Sequence, residues 1–127
     1  VLSNFQGAQA KARDIERAHD LSILEAKLED YFSANFGYPS NLDDIGIKDM
    51  QNLKGPSGTT IKINDVVADE ASAKTTSNPN VSQEYIYTPY GKPTCLTTCD
   101  GYVLKGYLEK PNAGATNPLV KLGIENL

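Results

Sequence analysis

The stretch from Phe5 to Asn35 constrains this chain most, because it holds no proline and a single glycine, Gly7, and its first half is dominated by Ala, Lys, Arg, Glu and Gln, which favour helix. At about 100° per residue its apolar side chains fall on two separate lines. Leu21, Leu24, Leu28, Tyr31 and Phe32 form the first, confined to the second half of the helix. Phe5, Ala8, Ala12, Ile15, Ile23 and Ala26 form the second, which runs nearly the whole length on another face and is built mostly of small residues. One line is enough for a monomeric domain. Leu21, Leu24, Leu28 and Phe32 are therefore expected in the domain core, which leaves Phe5, Ala8, Ala12 and Ile15 without a purpose inside it.

A helix of about 30 residues is on the order of 45 Å long, more than the remainder of a 127-residue chain can cover. Its first half is expected to project. There the small stripe is flanked by Lys11, Arg13, Asp14, Glu16, Arg17 and Asp20, whose helical pairs are worth a few tenths of a kcal/mol each. Two readings stand: a solvated helix with a ragged start, or a helix whose second stripe packs against copies of itself.

The formal net charge of -4 gives no electrostatic footprint for nucleic acid or for an anionic membrane surface, so neither partner is expected. His19, on the charged face, reads as solvated, since no second histidine exists to share a metal. No apolar run approaches the roughly 18 residues that span a bilayer. Val1 and Leu2 begin in helical register with no capping residue before them, which suggests a fragment.

The helix is expected to end at Asn35, Phe36, Gly37, Tyr38, Pro39, with Gly37 in the left-handed position and Pro39 forbidding continuation. Ser40 reads as an N-cap with Asp43 as its capping-box acid, so Asn41 to Ile45 is expected to form one helical turn. Leu42, Ile45, Ile47 and Leu53 anchor this connection before the turn at Gly55, Pro56, Ser57, Gly58.

From Thr59 the pattern changes to period two, with Ile61 and Ile63 on one face of a strand and Thr60, Lys62 and Asn64 on the other. Asp65 to Lys74 is ambiguous between strand and helical turn. Glu84 to Tyr90, with a turn starting at Pro89, and Tyr102 to Glu109 read as strands of an antiparallel hairpin joined by the loop that holds Cys95 and Cys99. Leu119, Val120, Leu122 and Ile124 form a terminal segment expected against the sheet edge. The whole reads as one α+β domain over residues 1–127: helix to 35, connecting loop 36–58, then sheet and C-terminal segment 59–127.

Cys95 and Cys99 are the two thiols, too few for a structural zinc site and wrongly spaced for a redox motif. A local disulfide is the favoured reading, and it places the domain outside the cytoplasm. The carboxylate clusters, Asp43 with Asp44 and Asp65 with Asp69 and Glu70, lack calcium-loop spacing and read as helix-start or solvated acids. With no nucleophile motif or phosphate loop, no catalytic, cofactor or metal residue is assigned and no enzyme is expected.

Phe5 to Asp14, and the run Leu24 to Leu28 followed by Tyr31, Phe32, Asn35, Gly37, Tyr38, Pro39 and Leu42, resemble the N-terminal helix and tyrosine-proline exit of type IV pilins and type II secretion pseudopilins. Tyr85, Tyr87, Pro89 and Tyr102 to Glu109 are similar to the sheet hairpin of pilin-like sequences, whereas Ile45 to Pro79 is not covered. The resemblance implies a long helix packed on a small antiparallel sheet in a non-catalytic, extracellular filament subunit serving attachment, twitching or uptake. It further implies copies of itself or other pilins as partners, an inner-membrane anchor in a hydrophobic segment before Val1, and possible contact with a host-cell or surface receptor. The alternative within the family is a minor pilin or pseudopilin acting as a tip adhesin or substrate-binding module. Two departures exist: Cys95 and Cys99 can close only a short loop, and Asn117 to Leu127 has no counterpart of the pseudopilin calcium end, which favours a pilus subunit.

Overall fold

The computed structural model describes residues 2–43, 47–91, 95, 98–110 and 117–123, with the helix side chains described from Phe5 onward. Helix α1 spans Leu2–Asn35, 34 residues or about 51 Å. A sheet of order β1-β2-β3-β4 lies against its second half, formed by Lys62–Ile63, Tyr85–Tyr90, Gly101–Gly106 and Leu119–Leu122. The fold is α+β, as the change of period from 3.6 to 2 implies.

The sheet is mixed rather than antiparallel. β2 and β3 pair antiparallel from Tyr85 opposite Gly106 to Tyr90 opposite Gly101, and β4 joins β3 antiparallel, with Leu122 opposite Val103. β1 pairs parallel to β2, with Lys62 opposite Ile86. Parallel neighbours need a crossover, and the ambiguous segment supplies it as helix α2, Glu70–Lys74, capped by Asp69, whose carboxylate accepts from the Ser72 amide at 2.9 Å. β2 runs through Pro89 rather than turning there. β1 has already stopped at Ile63, so no β1 residue stands opposite Pro89, and its carbonyl accepts from the Val67 amide beside a parallel bridge between Val67 and Tyr90.

The crossover covers the second face of the sheet, so every residue of β2 and β3 is buried. Tyr85, Tyr87, Tyr102 and Leu104 face Leu21, Leu24 and Leu28 of α1, while Val103 and Tyr90 meet Ala73 of α2. Lys105 lies on that second face, and its ammonium donates to the carbonyls of Lys74 and Thr76 and to Asn78 Oδ1. All three donors are satisfied. Burial lowers its pKa, and these acceptors hold it in place.

At the helix exit it is Phe36, not Gly37, that takes the left-handed conformation, with φ 61°. Gly37 is required for a different reason, since a Cβ there would run into Thr98. Ser40 to Leu42 form bends with an Asn41 side chain accepting from the Asp43 amide, in place of the expected capping box, and Asp44, Ile45 and Gly46 lie outside the described residues, as do Pro93 and Ile124. A 3-10 turn follows at Lys48–Asn52. Leu42 and Ile47 are buried and Leu53 packs partly on the same core. Ile61, just before β1, is buried, but Ile63 on β1 is exposed at the sheet edge.

Candidate functional site

The helix presents two opposite faces. At about 100° per residue, Phe5, Ala8, Ala12 and Ile15 occupy one side and Leu21, Leu24 and Leu28 the other. Leu21, Leu24 and Leu28 are fully buried and Phe32 is half-buried against the same core. Phe5 is 60% and Ile15 61% exposed, with Ala8 and Ala12 exposed between them. Lower down, Ile23 leaves the second line and packs against the core, whereas Ala26 is exposed. The exposed stripe therefore belongs to the first half of the helix.

Less of that half projects than its charged composition implies. Asp14, Arg17 and Asp20 are buried. Arg17, 0% exposed, donates from Nε to Glu84 at 2.7 Å and from Nη1 to Asp14 at 3.0 Å and Glu109 at 2.9 Å, with its guanidinium 5.1 Å from the Tyr107 ring centre. Glu84 is itself fully buried. Its other oxygen accepts from the Ser57 amide at 3.1 Å and the Thr59 hydroxyl at 3.0 Å, and a Cβ on Gly55 would strike this carboxylate. The turn read as Gly55, Pro56, Ser57, Gly58 is thus a cradle for one carboxylate. Arg13 grips Glu109 through Nε at 2.6 Å and Nη2 at 2.7 Å, and Asp14 accepts the amides of Glu109 and Lys110 at 2.8 Å each. The hydrogen bond from Arg13 holds the Glu109 carboxyl down at about 2, helped by Arg17 and opposed by desolvation.

A second set of polar anchors is phenolic. Tyr85 donates to Asp20 at 2.6 Å, Tyr38 and Tyr102 both donate to Glu29, and Tyr87 donates to the Pro39 carbonyl at 2.7 Å. Burial, reinforced by these carboxylates, pushes the Tyr85 and Tyr102 phenols far up. Rings of Phe32, Tyr38, Tyr102 and Tyr87 follow one another at 4.8–5.7 Å between centres, so aromatic packing runs from helix exit to sheet.

Cys95 and Cys99 are bonded to each other. Their loop is fastened to the helix exit, since Cys99 and Tyr38 exchange both backbone hydrogen bonds at 2.7 and 2.9 Å, and Cys99 is buried. Beside this bridge Phe36 is 87% exposed. A bulky side chain at positive φ is strained by roughly 1–2 kcal/mol, with no burial in return. His19 is exposed on α1.

Among the described residues no three His, Cys, Asp or Glu side chains stand close enough to hold a metal, and no helix is long and apolar enough to cross a membrane. Sequence reasoning missed Arg17, Glu84 and Glu109. The one available signal was Glu84 beside Tyr85, a charge at the start of an otherwise apolar strand, whose partner cannot be named from spacing alone. Comparison with family models, curated proteins and solved structures found no match to the chain.

Proposed function

We propose that this protein is a pilin-like structural subunit of an extracellular filament, non-catalytic, whose self-association uses the Phe5, Ala8, Ala12, Ile15 side of α1. The observation that carries the reading is the exposure of this apolar stripe on the side of the helix opposite the core. Small residues there allow close approach of a neighbouring helix. The buried Arg17 and Glu84 pair supports the same reading, because a subunit held by its helix needs that helix joined rigidly to its sheet. The disulfide supports an oxidising location outside the cytoplasm.

Copies of the same chain or other pilins are the proposed partners. A receptor-binding subunit is the second reading, favoured by the exposed, strained Phe36 next to the disulfide loop. Immunogold labelling of source cells with antibody raised against the 127-residue chain tests the proposal. Label along the length of surface filaments supports it, label confined to filament tips favours the second reading, and label restricted to the cytoplasm overturns both.

A further inference from the structure

We infer that Glu109 and Lys110 form a strap across the Gly7 to Asp14 side of α1 that opens on its own, while the helix from Arg17 onward stays fixed. Among the described residues, the hydrogen bonds that hold the strap to the helix are each only part-buried, with the strap side closer to solvent than the buried Asp14 and Arg17. Arg13 and Glu109 have 41% and 23% of their side chains in solvent, and among the described residues the strap amides rest on the Asp14 carboxylate. Lys110 lies over Gly7, where a Cβ would meet its ammonium, and Ala10 beside it is half-buried. Leu108, buried just before the strap, is the anchor from which it swings.

Opening leaves no buried charge stranded. Arg17 gives up Glu109 but keeps Glu84 and Asp14, the buried Asp14 carboxylate gives up the two strap amides but keeps Arg17, and Arg13 and Glu109 pass into water that already reaches them. Detachment beyond Arg17 is a different event, because it would strand Glu84 and expose Leu21, Leu24 and Leu28. The opening therefore stops at Arg17, a local unit distinct from global unfolding. The use of the strap rests on the self-association reading: a helix enclosed by neighbours on several sides needs its Gly7 and Ala10 side uncovered as well as its Ala8 and Ala12 side.

Amide hydrogen exchange on the isolated chain, followed by NMR, tests the strap without requiring any filament. After correction for intrinsic rates, the amides of Glu109 and Lys110 should exchange at least about tenfold faster than those of β2 and β3. Arg13→Gln, or in a second variant Glu109→Gln, should speed them roughly two- to fivefold more and leave the β2 and β3 amides unchanged. Strap amides exchanging in step with the β-strand amides, or indifferent to both variants, would overturn the inference. Because the readout comes from the monomer, a failure here leaves the filament reading standing, and loss of the filament reading leaves the strap standing.

Discussion

Arg17 and Glu84 lie 67 positions apart in the chain and meet at 2.7 Å with neither side chain exposed to solvent. The pair joins the midpoint of α1 to the start of β2, and the Ser57 amide and Thr59 hydroxyl complete the carboxylate's shell. We predict that Arg17→Ala destabilises the domain by about 3–5 kcal/mol, since it leaves a buried carboxylate without its cation. Urea unfolding at neutral pH measures this. A loss under about 1 kcal/mol would mean that water replaces the guanidinium at little cost.

Glu109 sets an acid limit. Its carboxyl is held at about 2 in the fold, first by the Arg13 hydrogen bond, against an ordinary 4.5 in the unfolded chain. A depressed folded-state value contributes stability that is complete above about 4.5 and is lost as pH falls from there toward about 2. Glu109→Gln should therefore flatten the stability profile within that window and lower stability at neutral pH. An unchanged slope between pH 4.5 and 2 would assign the acid sensitivity elsewhere.

How much of this was legible beforehand depends on the kind of force involved. Leu21, Leu24 and Leu28 announce the core through their period, and the tyrosines of β2 and β3 announce a hairpin through alternation, because apolar burial is read from spacing alone. Arg17 and Asp14 read as solvated, since a charge is buried only when a partner is present and that partner is set by topology. The parallel β1 was illegible for a related reason: it follows from whether Ala68 to Ala73 turns into a crossover, a choice that the local sequence leaves balanced. The left-handed Phe36 defeats propensity outright, with Gly37 next to it.

Core packing is tested at Leu28, which is fully buried against the sheet. Leu28→Ala should cost about 2–5 kcal/mol. A melting curve superimposable on that of the parent would contradict the assignment of this face to the core.

Reduction of the bond between Cys95 and Cys99 should be readable by mass after alkylation, with two labels gained only after reductant. Because the closed loop is short, the accompanying loss of stability is expected near 2 kcal/mol. A loss well beyond that would show that the bridge fixes the Tyr38 pairing as well as the loop.

The assembly surface is the central claim, and Ala12→Glu tests it most directly, by electron microscopy of source cells carrying the substitution together with thermal melting of the isolated domain. Ala12 is exposed, so domain stability should stay within about 0.5 kcal/mol of the parent. Filaments should disappear or shorten, because an unpaired charge would be buried at a contact repeated in every subunit. Filaments of normal number and length on cells whose variant domain melts normally would contradict the account.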